Sequence, residues 1–318
     1  MRHQLLIAEF MSTPWALMPE RLAAFQVILA RWASDIKADP AILAEVRADA
    51  VALDARKGDL ARAGNGSIAV LPMYGVIAQR TNVSDISGPG VMSTQAFAQD
   101  FRAALADDSI GGILIDVDSP GGSVYGVGEL ADEIYSARAT KPVVAIANSL
   151  AASAAYWLAS SAGEFYVTPS GEVGSIGVIS AHEDLSEKLK IAGVKTTLIT
   201  AGKYKAEGNP FEPLGQEARD NIQSRVNDYY GAMTRVIAKN RATDVATVRE
   251  GMGQGRVLTP SDARAANMVD GIATFDQVVK KMQRAIAQGG TAQQPAPATK
   301  PRGQSIALCR KEIDILGA

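Results

Sequence analysis

The chain has a single cysteine, Cys309, and only two histidines, His3 and His182, in 318 residues. One thiol excludes an internal disulfide framework and favours a reducing compartment. Two histidines this far apart argue against a His-rich zinc site, and a Ser-His-Asp triad would depend on His182 alone. Neither sign of charge is in excess, the formal net charge being −2, so the basic footprint of a nucleic-acid binder is missing. A secretory leader is not evident, because Glu9 interrupts the opening apolar residues before an h-region builds up. The longest apolar stretch, Val143–Ala159, is at the short limit for a membrane span and carries Asn148, Ser149 and Ser153. It reads as a buried strand followed by a buried helix. Hydrophobic residues make up 47% and charged residues 21%, an ordinary globular balance with enough chain for a full core.

Three regions follow from the texture of the sequence. Residues 1–66 read as a peripheral helical region: Leu22, Phe25, Leu29 and Trp32 recur at helical spacing, and Ala41–Arg62 is rich in Ala, Arg, Asp and Glu. Ala63-Gly64-Asn65-Gly66 marks a boundary loop. Residues 67–287 alternate strands and helices. Strands are expected at Ile68–Val76, Gly112–Val117, Val143–Ala147, Phe165–Val167, Ile176–Ile179 and Lys195–Ile199. Helices are expected at Thr94–Ala106, Gly126–Arg138, Ala151–Ala162, Glu183–Ala192, Gln216–Asn240, Thr259–Asn267 and Phe275–Ile286. Such alternation implies an α/β fold with a mostly parallel sheet. Residues 288–318 begin with a Gln/Gly/Pro/Ala-rich linker, 288–303, which has too little apolar surface to offset its ordering entropy.

Two motifs carry chemistry. Asp118-Ser119-Pro120-Gly121-Gly122 follows a strand and forms a tight turn at a strand's carboxyl end, where a backbone can approach a ligand closely. Its N–H groups can stabilise an oxyanion. Ser153, flanked by alanines in Ala151-Ala152-Ser153-Ala154-Ala155, is expected near the start of a helix that follows a strand. Small neighbours admit a substrate carbonyl to its Oγ, and the Ala154 N–H is a second oxyanion donor. The interval between Gly122 and Ser153 suits one helix and one strand, which places both motifs at the ends of neighbouring parallel strands. A serine nucleophile needs a base. His182 lies among carboxylates in Ser180-Ala181-His182-Glu183-Asp184 and reads as a solvated or capping residue. Lys203 and Lys205, in a loop after Lys195–Ile199, are the alternative, provided that desolvation makes an amine neutral. Ser175, in Gly174-Ser175-Ile176-Gly177-Val178, offers a hydroxyl to orient such a lysine.

The two motifs above, together with Gly174–Val178, Gly202-Lys203-Tyr204-Lys205 and Gly255-Arg256-Val257-Leu258-Thr259-Pro260 through Asn267-Met268-Val269-Asp270, resemble in pattern and order the signal peptide peptidase A (protease IV) family of serine peptidases. The resemblance covers about Ser67–Ile286. It implies a ClpP/crotonase-like fold and a Ser/Lys dyad without metal or organic cofactor. By motif position, Ser153 matches the nucleophile, Lys205 the base with Lys203 as fallback, and Ser175 the serine supporting the lysine. Gly122, with Gly121, and Ala154 match the oxyanion hole. Cellular members usually carry a membrane anchor, and none is evident in this sequence. The N-terminal helical region and the Gln/Pro/Ala-rich tail are more similar to the head maturation proteases of tailed phages and prophages. That branch implies scaffold and head proteins as substrates, a homo-oligomer, and a location in the host cytoplasm or procapsid, with no nucleic-acid partner and no membrane. Three other readings remain open: a cellular signal-peptide-degrading peptidase, an acyl-CoA enzyme of the crotonase type using a carboxylate such as Glu129, and a non-catalytic assembly protein.

Overall fold

A computed structural model of the chain describes residues 13–19, 67–80 and 91–288. The helices expected around Leu22–Trp32 and Ala41–Arg62, the boundary at 63–66 and the tail from 289 lie outside the described residues.

The strands are β1 (Trp15–Leu17), β2 (Ser67–Tyr74), β3 (Val76–Ala78), β4 (Val91–Ser93), β5 (Ile110–Ser119), β6 (Gly121–Ser123), β7 (Val143–Ala152), β8 (Glu164–Val167), β9 (Glu172–Gly174), β10 (Val257–Leu258) and β11 (Gly271–Ile272). The α-helices are α1 (Thr94–Ala106), α2 (Val127–Ala137), α3 (Ala154–Ala159), α4 (Ser186–Ile191), α5 (Gln216–Asn240), α6 (Val245–Gly251), α7 (Pro260–Ala265) and α8 (Phe275–Ala287). A seven-stranded sheet runs β10-β9-β7-β5-β2, with β8 also pairing β7 and β11 pairing β8. Every pairing in it is parallel except β9–β10. The mostly parallel α/β class expected from the sequence is the one that forms.

The central strands β5 and β7 are apolar on both faces, as strands covered on both sides must be. Ile113, Ile115 and Val117 of β5 pack under α1, α2 and α3 with Phe101, Ile134 and Tyr156. Leu114 alternates to the other face, where it meets Ile68, Val144 and Ile146 beneath Val278 and Met282 of α8. Capping side chains start the helices where the sequence changes period: Ser93 accepts from the Ala96 N–H, Thr259 from Asp262 with Pro260 in the first turn, and Thr274 forms a capping box with Gln277. The closing segment is locked by a bidentate ion pair. Arg241, its side chain 6% exposed, donates to both Asp270 carboxylate oxygens at 3.0 Å. Asp270 Oδ2 also accepts the Phe165 N–H at 2.7 Å, which ties the end of α5 to β8.

A smaller four-stranded sheet, β1-β6-β3-β4, stands at the carboxyl end of β5. It forms because Gly75, with φ of 74°, turns the chain out of β2 into β3. Its outer strand, β1, comes from the region expected to be helical. The pairs Trp15↔Ser123, Ala16↔Gly122 and Leu17↔Gly121 set it antiparallel to β6.

Three expected elements are corrected. The strand at Val143–Ala147 continues to Ala152, so the helix expected from Ala151 begins only after Ser153. The strand expected at Ile176–Ile179 falls instead at Glu172–Gly174, and Ile179 keeps only a bridge to Trp15. Lys195–Ile199 forms no strand and is exposed throughout, since its adjacent Leu198 and Ile199 meet no neighbouring strand among the described residues. Among the described residues, no helix is long and apolar enough to cross a membrane.

Candidate active site

Ser153 sits at the junction of β7 and α3, not inside the helix, with φ 57° and ψ −116°. A non-glycine residue here is strained and persists only because its surroundings fix it. The Ser153 N–H donates to Gly174 O at 2.7 Å, and its carbonyl accepts the Trp157 N–H at 3.0 Å. Four flanking alanines, 151, 152, 154 and 155, are fully buried. Ser153 itself is 1% exposed, and its Oγ donates to Gly177 O at 3.3 Å. Ala154 opens α3, so its N–H lies in the first turn and has no partner within the helix.

The glycine turn abuts this serine. Gly121 has φ of 97°, and a Cβ there would lie 2.9 Å from Ser153 Cβ. A Cβ on Gly122 would lie 1.9 Å from Ile77 O. Neither position admits a side chain. Ser119, fully buried, sets the turn: its hydroxyl donates to Gly75 O at 2.6 Å and accepts the Gly121 N–H at 3.2 Å. The Gly121 amide is therefore occupied from within the turn, whereas the Gly122 amide faces Ala16 of β1. In the sequence Gly121 reads as a partner of Gly122, and Ser119 goes unmarked although a serine before Pro-Gly-Gly is a turn signal.

Ser175, with φ of 52°, is buried beside the same strand end. Its N–H donates to Arg256 O at 2.8 Å, and its Oγ has no hydrogen-bond partner among the described residues. The structure thus brings Ser153, Ala154, Gly121, Gly122 and Ser175 together.

It does not bring a lysine to them. Residues 183–208 form an arm closed at its base by His182 Nε2 against Asn209 O at 3.1 Å and by the Leu185 N–H donating to Pro210 O at 2.8 Å. His182 is thereby engaged as a brace. Lys203 contacts the Tyr204 hydroxyl at 2.7 Å and Glu217 Oε1 at 2.9 Å. The Tyr204 hydroxyl first, and then Glu217, raises its pKa above the ordinary lysine value, which favours the charged ammonium. Lys205 is exposed, and its amine has no partner among the described residues. Five large apolar side chains on the same stretch are exposed as well, Ile191, Val194, Leu198, Ile199 and Tyr204, with Ile199 at 94%, and Phe211 just beyond it is exposed too. Glu129, the carboxylate of the crotonase-type reading, lines a separate groove with Gln79, Gln95, Arg102 and Glu133.

The head-tail preconnector protein GP5 of Enterobacteria phage P21 is 33% identical over 259 residues, covering 80% of this chain and 50% of that protein. Capsid assembly protease C of Escherichia phage lambda is 32% identical over 219 residues, covering 69% and 49%. Protease 4 of Salmonella typhi is 29% identical over 217 residues, covering 68% and 34%. The chain spans about half the length of these phage relatives. Among solved structures, a variant of the 1510-N membrane-bound stomatin-specific protease aligns with a TM-score of 0.44 at 15% identity, covering 69% of this chain and 86% of that one. Ser153, Ser175, Lys203 and Lys205 all fall within the segment that matches a known family profile, and the Gly121–Gly122 turn lies just before it. Residues 136–288 of this chain match the model of peptidase family S49.

Proposed function

We propose that the chain is a serine endopeptidase with Ser153 as nucleophile and Lys205 as general base, acting on scaffold and head proteins during tailed-phage capsid assembly. One observation carries the reading: a strained, buried serine at a strand–helix junction, in contact with a glycine turn and directly followed by an unpaired helix-start amide. In the proposed reaction neutral Lys205 takes the Ser153 hydroxyl proton as Oγ attacks the peptide carbonyl. The Gly122 and Ala154 amides hold the oxyanion, and the ammonium returns the proton to the leaving amine. Water then hydrolyses the acyl-enzyme. Ser175, near the same strand end, orients the lysine.

Lys205 rather than Lys203 suits the role, because Lys203 is held charged by its partners. The exposed apolar residues of the arm support a homo-oligomer in which the arm docks against a second copy. Docking strips water from the Lys205 amine, which favours its neutral form. The capsid role draws on the phage relatives, whose match extends over more of this chain than that of Protease 4. It places the protein in the host cytoplasm or procapsid.

The test is cleavage of a casein or head-protein substrate by wild type, Ser153→Ala, Lys205→Ala and Lys203→Ala. Loss of activity in the first two variants and retention in the third is expected. Full activity of Ser153→Ala or Lys205→Ala removes the dyad.

A further inference from the structure

The strand β1 lies where an extended peptide substrate would have to lie. On one edge it pairs with β6, the glycine strand next to Ser153. The Met18 N–H donates to Pro120 O at 3.2 Å and the Val124 N–H to Pro14 O at 3.3 Å. The alternation of an antiparallel ladder then makes Ala16 and Gly122 the mutually bonded pair, so the Gly122 N–H points at the Ala16 carbonyl. On the other edge Trp15 exchanges both backbone bonds with Ile179, at 2.8 and 2.7 Å. Ile179 ends the segment that begins with Ser175 and contains Gly177, the residue that accepts from Ser153 Oγ. Residues 14–18 are therefore inserted as a strand between the two walls flanking the serine.

The register is the informative part. The point where a Gly121 Cβ would stand is 2.2 Å from Ala16 O and 2.9 Å from Ser153 Cβ. The Ala16 carbonyl oxygen is thus at most about 5 Å from Ser153 Cβ. Of all the carbonyls in the strand, the one on the proposed oxyanion donor is Ala16. Its side chain is fully buried and small, and Leu17 beyond it is 2% exposed. Pro14 and Pro19 bracket the run and keep it extended.

We infer that residues 13–18 are a tethered substrate and that Ala16–Leu17 is a self-processing site. The inference rests on the peptidase reading of Ser153. Ser153 Oγ attacks the Ala16 carbonyl carbon, and the bond to the Leu17 nitrogen breaks as that nitrogen takes the proton relayed through Lys205. The acyl-enzyme holds residues 1–16 as an ester until water releases Ala16 as a carboxylate. The remaining chain begins at Leu17. Until the cut, the strand competes with any incoming peptide for the same two edges.

The experiment follows the purified full chain by intact mass and N-terminal sequencing, with a fluorogenic peptide assayed in parallel. The wild type should yield a product starting at Leu17, and Ser153→Ala should not. Ala16→Asp, which sets a charge in a closed pocket, should stop the cut and raise kcat/KM on the added peptide about tenfold over wild type that is still uncut, because the tethered competitor no longer seats. Ala16→Ser, a small replacement, should still be cut, showing that the segment folds and reads size. A wild type that hydrolyses the peptide while its 16–17 bond stays intact overturns the inference and leaves the peptidase reading standing. A wild type that hydrolyses neither overturns both.

Discussion

Replacing Gly122 by alanine tests the glycine turn most sharply. A Cβ there would stand 1.9 Å from Ile77 O and 2.5 Å from Ile77 N. Both are backbone atoms of β3, so no rotamer change relieves the clash. Ordinary van der Waals contact requires β6 and β3 to part by roughly 1 Å or more, and displacements of that size at a reacting centre can cost about 100-fold in rate. The movement carries the Gly122 N–H outside the window of about 2.7–3.1 Å in which an oxyanion donor works. Loss of one such donor costs roughly 3–4 kcal/mol, or about 100- to 1,000-fold in kcat. The forced overpacking should cost a further ~1–3 kcal/mol of folding stability. For a domain of this size that is about 2–4 °C in Tm per kcal/mol. The assay pairs steady-state hydrolysis of a fluorogenic peptide with thermal unfolding, using Gly215→Ala as control. Gly215 has φ of −67° and no atom within 4 Å of the added methyl. A Gly122→Ala protein with wild-type kcat and Tm refutes the placement of that amide.

The remaining predictions concern other parts of the structure. Arg241→Ala leaves the Asp270 carboxylate without its bidentate partner and should lower Tm on the order of 10 °C, since breaking a buried pair costs about 3–5 kcal/mol; an unchanged melting curve contradicts that reading. Burial raises the pKa of Asp116 above its ordinary value of 3.8, against the opposing pull of the Tyr74 hydroxyl and the Asn148 side chain. The folded state therefore binds this proton more tightly than the unfolded chain, and stability falls as pH rises from 3.8 through the folded pKa. Asp116→Asn should raise Tm at neutral pH, with the gain vanishing as pH drops to that range; a gain that grows in acid contradicts the sign. Ile199→Asp, at a side chain 94% exposed, should leave Tm unchanged but reduce the assembly's mass by light scattering and abolish peptidase activity together. An active, fully assembled Ile199→Asp protein removes the arm from the interface.

The sequence exposed most of the candidate site and little of what borders it. Helices with clear period, such as Thr94–Ala106 and Gln216–Asn240, form at the expected residues. Apolar runs marked β5 and β7, but periodicity has no means of telling a strand that continues through Asn148–Ala152 from a helix that begins at Ala151. The boundary is decided by pairing with β9, a tertiary contact. Lys195–Ile199 carries β-branched residues that suit a strand, but nothing among the described residues covers it. β1 was hidden inside a region whose composition is helical overall. Its only local signal is Pro14-Trp15-Ala16-Leu17-Met18-Pro19, four apolar residues between two prolines. The Ser119 bridge and the capture of the Gly121 amide depend on the position of Gly75, 44 residues earlier in the chain, and no local pattern reports that.

The central claim is that the Ser153 hydroxyl is a nucleophile activated by Lys205. Labelling with a serine-reactive fluorophosphonate, followed by peptide mass spectrometry, reads it directly. The predicted result is one adduct on the Ser153 peptide in the wild type, at a rate reduced at least about 100-fold in Lys205→Ala. An adduct on a different serine, or labelling of Ser153 at the same rate without Lys205, contradicts the account.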